Sequence, residues 1–317
     1  MPFISKSGKS ASRICEVTVG TGDRAVTAGG ESSLPFYTFD GKTPNRPRIG
    51  IEITDGGVAD QPAVVQKYYD GCVSAADMAR KASSFEGVDF ICLALTGADP
   101  NGKNRPADEL METVRAVADA TDLPLAVSGC DNAQIDAGLL RKAAQVLKGR
   151  NALMLSAREE NYESVKKTAA PEFGQNIGAE SADDINLAKQ LNILLLQAEV
   201  PENKIIMQPG TAACGYGFEY VISTIDRIRL AALQQSDKTL QMPVITPVAQ
   251  EAWSVREAAA TQDEMPEWGS QEERGIDMEV ETAAAVLAAG SDAVILKHPE
   301  SVRTIAAMTA ALTQGGQ

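Results

Sequence analysis

One histidine, five cysteines and a set of polar side chains at the ends of apolar runs are the groups in this chain best placed to do chemistry. The cysteines are Cys15, Cys72, Cys92, Cys130 and Cys214, and none lies within four residues of another. Zinc and cluster sites usually show close pairs such as C-x-x-C. Scattered cysteines read instead as small buried hydrophobes. With His298 alone, a histidine-rich metal site cannot be assembled. The remaining candidates follow apolar runs in order: Thr54 and Asp55; Thr96 and Asp99; Ser128, Cys130, Asp131 and Asn132; Ser156; Glu180; Gln208 and Thr211; Thr246; Lys297 and His298. Such a set is rich in hydroxyls and amides and poor in cations. It suits hydrogen bonding to a large polar ligand that carries amides. A phosphate clamp would need basic residues and aimed backbone amides.

Each group also has a structural reading. Asp131 and Asn132 can cap the helix that follows them. GTAACGYG, residues 210–217, lacks the lysine of a phosphate loop and the spacing of a dinucleotide fingerprint. It reads as a tight turn with close backbone packing. His298 stands directly before Pro299, as an N-terminal helix residue would. Lys297 has the chemistry of a Schiff-base lysine, and Glu180 and Asp55 that of a general acid or base.

The elements that must position these groups are legible in the periodicity. From Arg48 onward, short apolar runs alternate with amphipathic stretches. The runs at 49–53, 89–95, 124–128, 152–156, 176–179, 204–208, 243–246 and 292–297 predict eight strands. Near-continuous apolar strands such as FICLAL are what a parallel sheet covered on both faces requires. Leu110, Met111, Val114, Val117 and Ala118 form a helical stripe. So do Leu187, Leu191, Leu194, Leu195 and Ala198, and again Val221, Ile225, Ile228 and Ala232. Ser74 with Asp77, and Ser181 with Asp184, resemble capping boxes. Pro106 and Pro299 suit first helical positions, and Gly149 and Gly290 suit helix ends. Eight strand–helix units predict an α/β fold, a closed (β/α)8 TIM barrel over residues 47–317. An open doubly wound sheet is the alternative. Residues 1–46 predict an N-terminal β-hairpin and linker, with strands at 14–19 and 24–27 around a turn at 20–23. A long connection at 248–270 carries both tryptophans, Trp253 and Trp268, and reads as a lid or binding element.

The net charge of −14 opposes binding to nucleic acid or to an anionic membrane surface. No run approaches the roughly 20 apolar residues that span a bilayer. The polar, basic start has no apolar signal core, so a cytoplasmic location is expected.

Four stretches carry a family resemblance. VTVGTGDRAVTAGGESSLPFYTFDG (17–41), PGTAACGYGFEYVISTIDRIR (209–229), the segment from QEAWSVREA to PEWGSQEERG (250–275), and LKHPES (296–301) occur in order across nearly the whole chain. They resemble the small subunit of the corrinoid iron–sulfur protein, the delta subunit of acetyl-CoA decarbonylase/synthase. The resemblance implies a barrel related to pterin-dependent methyltransferases. It implies pairing with a larger subunit that brings the iron–sulfur cluster and a cobalamin-binding domain, with the corrinoid at the interface over the barrel top. Its cobalt would receive a methyl group from methyltetrahydrofolate through a separate methyltransferase. It would then pass the group to CO dehydrogenase/acetyl-CoA synthase, in the reductive acetyl-CoA (Wood–Ljungdahl) pathway. Under this reading the chain is a carrier subunit with no catalytic residue of its own. The residues expected to touch the corrinoid are Thr54, Thr96, Ser128, Asn132, Gln208, Thr211, Thr246 and His298. The absence of clustered cysteines agrees with a small subunit. One departure is Lys297, where the family motif often has arginine, so the planar fork is lost. Three other readings stand beside it: a stand-alone pterin-dependent methyltransferase using Asp99, Asp131 and Asn132, a barrel lyase using Lys297, and a purely structural partner.

Overall fold

The computed structural model describes Ser10 and residues 12–37, 43–169 and 171–314. Two short strands, β1 (Val17–Val19) and β2 (Val26–Ala28), pair antiparallel as the expected hairpin. Eight parallel strands follow: β3 (Arg48–Thr54), β4 (Phe90–Ala94), β5 (Leu125–Ser128), β6 (Leu153–Ala157), β7 (Asn176–Glu180), β8 (Ile205–Gln208), β9 (Ile245–Pro247) and β10 (Ala293–Leu296). Their order, β8-β7-β6-β5-β4-β3-β10-β9, wraps round, and a parallel bridge between Met207 and Val244 brings β8 beside β9. The fold is a (β/α)8 barrel. Each strand overlaps the run that predicted it. Among the described residues, no helix is long and apolar enough to cross a membrane.

The helices are α1 (Ala63–Gln66), α2 (Ala75–Ala82), α3 (Ala107–Ala120), α4 (Ala133–Val146), α5 (Tyr162–Val165), α6 (Ile185–Gln197), α7 (Phe218–Leu233), α8 (Ala249–Ser254), α9 (Arg256–Ala259), α10 (Gln271–Ala289) and α11 (Pro299–Gln314). Ser74 and Asp77 make the expected capping box on α2. The second box is corrected: Asp184 caps α6, accepting from the Asn186 and Leu187 amides, and Ser181 lies outside the helix. Pro106 is the residue before α3, one position earlier than expected. Residues 248–270 are mostly helical rather than irregular, folding into α8, α9 and a 3-10 turn at Pro266–Trp268. The cysteine reading also changes. Cys92 is buried, while Cys15, Cys72, Cys130 and Cys214 are half-buried free thiols.

The period-2 alternation of the strands divides the core into two compartments. Outward-facing residues such as Ile49, Ile51, Ile91, Leu93, Ile177 and Val294 pack against the helices. Inward-facing Phe90, Cys92, Ala126, Leu153, Leu155, Ile206, Ile245, Ala293 and Ile295 fill the lumen together with Val17 and Val19 of the hairpin. Small residues make room for large ones there. A Cβ on Gly50 would lie 2.3 Å from the Phe90 ring, and one on Gly178 would lie 2.2 Å from Leu155. The hairpin therefore seals the N-terminal mouth of the barrel, and the opposite mouth is left to carry a site.

Candidate functional site

A cavity of about 250 Å3 opens at the C-terminal ends of the strands. Its floor and walls come from inward-facing positions: Glu52 of β3, Cys92 of β4, Ser128 of β5, Leu155 of β6, Glu180 of β7, Gln208 of β8, Pro247 of β9 and Ile295 of β10. Loop and helix residues complete it: Asp131, Asp136, Arg158, Asp183, Thr211, Gln250 and Glu251 among them.

Its chemistry is that of a hydrogen-bond acceptor. Among the described residues, Arg158 is the one lysine or arginine lining it, and its guanidinium bridges Asp131 and, at 2.9 Å, Glu180. Burial pulls the Arg158 pKa down, but the hydrogen bonds and charges of these two carboxylates outweigh it and hold the net shift upward. Gln208 accepts from the Ser156 hydroxyl at 3.0 Å and points its amide nitrogen at Glu180 at 3.4 Å. Glu52 takes Lys297 at 2.8 Å, with both side chains about nine-tenths buried. That contact ties up the Lys297 amine that a Schiff base would need. Burial raises the Cys92 thiol pKa, with the Glu52 charge adding to it, so the thiol stays protonated. Burial also raises Asp136, Asp183 and Glu251, the last further lifted by Asp131 and Asp183.

Of the eight residues expected to bind a cofactor, three line this cavity: Ser128, Gln208 and Thr211. The other five lie elsewhere. Thr54 is buried and takes Gln61 at 3.4 Å. Thr96 is exposed on the rim, 3.4 Å from Asp55. Asn132 caps α4, accepting from the Gln134 and Ile135 amides. Thr246 is fully buried and bonds Ser291 at 2.9 Å, because its strand parity is opposite to that of Ile245 and Pro247. His298 shares that outward parity with Leu296 and is fully buried beneath the helices. Its Nδ1 accepts the Glu300 amide at 3.1 Å, its Nε2 lies 3.4 Å from Glu272, and its ring stacks on Trp253 at 5.8 Å. Burial lowers its pKa to about 4, so it is neutral. Asp55 holds the Gly97 amide and Arg105, ordering the loop after β4.

Glu52, Cys92, Arg158, Asp183 and Glu251 were not anticipated as lining residues. A charged side chain at an inward position of the otherwise apolar IGIEIT was the available signal for Glu52. Trp253 is buried against Gly275 and His298, while Trp268 lies between the Arg256 and Arg274 guanidiniums at 5.6 and 5.8 Å. Among the described residues, no group of three or more histidine, cysteine or acidic side chains is placed to hold a metal ion.

A hairpin-plugged (β/α)8 barrel with an acidic, amide-bearing mouth defines the class of protein. Solved structures of the same shape are dihydropteroate synthases. The Xanthomonas albilineans enzyme with 4-aminobenzoic acid aligns with 95% of this chain and 99% of its own, at TM-score 0.57 and 13% identity. The Thermus thermophilus enzyme aligns over 93% and 99%, at TM-score 0.55 and 15% identity. The likeness is one of fold. Residues 16–313 match the family of the CO dehydrogenase/acetyl-CoA synthase delta subunit, and the chain belongs to that family. It is 35% identical over 297 residues to the acetyl-CoA decarbonylase/synthase complex subunit delta 1 of Methanosarcina thermophila, covering 92% of this chain and 67% of that protein. It is 35% identical over 291 residues to subunit delta of Archaeoglobus fulgidus, covering 90% and 64%. The chain thus spans about two thirds of the length of these relatives.

Proposed function

We propose that this chain serves a corrinoid-carrying partner in an acetyl-CoA decarbonylase/synthase assembly, with the open end of the barrel facing the corrinoid. The observation that carries the reading is the acceptor-rich mouth around Gln208, Thr211, Ser128 and Glu180. A cavity of about 250 Å3 falls below the roughly 300–1,000 Å3 of sites that enclose drug-sized ligands. A macrocycle would therefore lie across the mouth, with one edge group entering it. The acceptors fit the N–H groups of peripheral carboxamides. His298, the one histidine of the sequence, is enclosed under α10 and α11 and does not reach the mouth, so this chain would offer the ligand hydrogen bonds rather than an imidazole.

When bound, a corrinoid supplies a cobalt centre able to accept and release a methyl group. This chain's own part is physical. The rim orients the ligand through hydrogen bonds, the plugged lumen holds the rim rigid, and covering one face keeps bulk water from it. The methyl group would originate on methyltetrahydrofolate, arrive through a methyltransferase and leave to acetyl-CoA synthase. The iron–sulfur cluster and the cobalamin-binding domain would belong to the larger subunit.

Anaerobic co-purification with an absorption spectrum tests this. A near-equimolar larger partner with corrinoid and iron–sulfur bands is expected. Combined substitution of Ser128, Gln208 and Thr211 should reduce cobalamin retention, and unchanged retention would sink the rim assignment. The cavity's small volume favours one second reading, a compact heterocycle such as a pterin bound by this chain itself. Saturable binding of methyltetrahydrofolate to the isolated chain would support that alternative.

A further inference from the structure

Behind the wall of the cavity lies a buried polar cluster that the mouth does not use. Helix α8 turns Gln250 and Glu251 to the cavity and buries Trp253 on its other side. The indole packs on α10, where a Cβ on Gly275 would lie 2.3 Å from it, and it stacks on the His298 ring at 5.8 Å and 12°. One turn further along α10 is Glu279, fully buried. Its two carboxylate oxygens accept the Lys297 amide at 2.5 Å and the His298 amide at 3.1 Å, where β10 ends and α11 begins. The Trp253 indole nitrogen and the Ser301 hydroxyl are enclosed beside the same carboxylate, outside ordinary hydrogen-bond geometry but near enough to steady its charge.

That carboxylate joins three elements, and two sides of the cavity hang on them. Lys297 has its amide on Glu279 and its ammonium 2.8 Å from Glu52, the acid of the cavity floor. Trp253 follows Gln250 and Glu251 of the cavity wall within the same short helix. Among the described residues, no lysine or arginine forms an ion pair with Glu279, so its charge rests on N–H and O–H groups alone. Burial lifts its carboxyl to about 7, against the opposing pull of Ser301, the two amides and Trp253. An ionised carboxylate accepts from all these donors at once, whereas a protonated one turns an O–H on them and gives up a contact. Of the ionisable groups around it, Tyr69 comes from the turn after α1, His298 is neutral, and the Lys297 ammonium is taken by Glu52. On α10 itself, Glu272 is engaged by Tyr68 at 2.8 Å and by Lys67. The neighbouring helices α7 and α9 hold Arg229 with Glu31 and Asp292, Arg256 over Trp268, and Glu257 on the Tyr216 hydroxyl.

We infer that Glu279 is a positioning residue for the cavity: its carboxylate ties α8 and the Lys297 peptide to α10, so that the wall bearing Gln250 and Glu251 and the floor bearing Glu52 shift together when it exchanges its proton with solvent. The connection that begins with α8 is then a keyed wall and not a free lid. The inference does not depend on the corrinoid reading, because it concerns the cavity without a ligand.

The test is nuclear magnetic resonance of the full chain, following the amides of residues 249–254 and 297–298 from about pH 5 to about pH 9. Both groups should shift in one step with a common midpoint of about 7. Glu279→Gln, which keeps the shape and an acceptor, should lose the step at both. Trp253→Phe keeps an aromatic ring against Gly275 but removes the indole N–H. It should retain the step at 297–298 and lose it at 249–254. Glu31→Gln, beside the hairpin, should change neither. A merely structural role for Glu279 would lower stability in its variant and leave no step to lose. Absence of a step in the unaltered chain, a step that survives Glu279→Gln, or one at 249–254 that survives Trp253→Phe overturns the inference. Should Glu279→Gln fail to fold, the split expected of Trp253→Phe decides alone.

Discussion

The two mouths of the barrel are built by the same strands and yet are opposites. At the N-terminal mouth, Val17 and Val19 of the hairpin meet Phe90, Leu153, Ile206, Ile245 and Ala293, and the lumen closes on apolar contact. Side-chain donors to backbone carbonyls of the hairpin finish the seal. Asn151 donates to Thr18 O at 2.8 Å, Asn176 to Thr18 O at 3.1 Å, and Arg48 to Thr27 O at 3.0 Å. At the C-terminal mouth the inward positions turn to Glu52, Cys92, Ser128, Glu180 and Gln208, which share the cavity with Leu155, Pro247 and Ile295. Parity fixes which residues enter the lumen, and position along each strand decides whether they serve packing or a site. Stability is therefore concentrated at one end and binding chemistry at the other.

The largest expected effect lies in the plug. Val17→Asp places a carboxylate at a fully buried position with no partner. It should cost about 3–5 kcal/mol in urea unfolding, or detach the hairpin altogether. A cost below that of any rim substitution would break the contrast between the mouths.

Next comes the rim ion pair. Arg158→Ala leaves Asp131 and Glu180 facing each other without their cation. A loss of about 1–2 kcal/mol is expected, since the arginine is a quarter exposed and solvent screens the residual repulsion. The loss should shrink in high salt, which the plug variant would not show.

A third test uses pH at the sealed end. Glu31 follows the hairpin and is buried beside Asp292 and Arg229. Burial, and then the Asp292 charge, push its carboxyl up to about 8, because one guanidinium cannot serve two acids. A carboxyl raised above its unfolded value stabilises the fold at low pH, and that contribution is lost as pH rises through the folded value. Protection of the amides at residues 26–33, taken relative to their intrinsic base-catalysed exchange, should therefore fall as pH rises from about 4.5 to about 8. Glu31→Gln should flatten the profile, and an unchanged profile in that variant would remove Glu31 as the cause.

The smallest effect is expected from Thr211→Val. Its hydroxyl is enclosed with no hydrogen-bond partner among the described residues, so stability should change by less than about 0.5 kcal/mol. A larger loss would mean that Thr211 packs the rim rather than awaiting a ligand.

Much of this was written in the chain's local pattern. Apolar runs of strand length alternating with 3.6-period stripes specify eight strand–helix units, because burial on both faces requires that pattern. Leu110, Val114 and Val117 lie buried where their spacing put them. Ser74 and Asp77 form their box because a capping box is purely local. Ser128, Gln208 and Thr211 reached the cavity because each follows an inward-facing run. Only the tertiary structure decided the rest. Thr246 and His298 look equivalent to Gln208 in sequence, but they sit one residue out of phase and point into the helix layer. Asp183 and Glu251, 68 positions apart, share a cavity only because barrel closure brings the loop after β7 beside α8. Periodicity reports which face of its own element a residue occupies. Which distant side chains come to line one cavity depends on closure of the sheet.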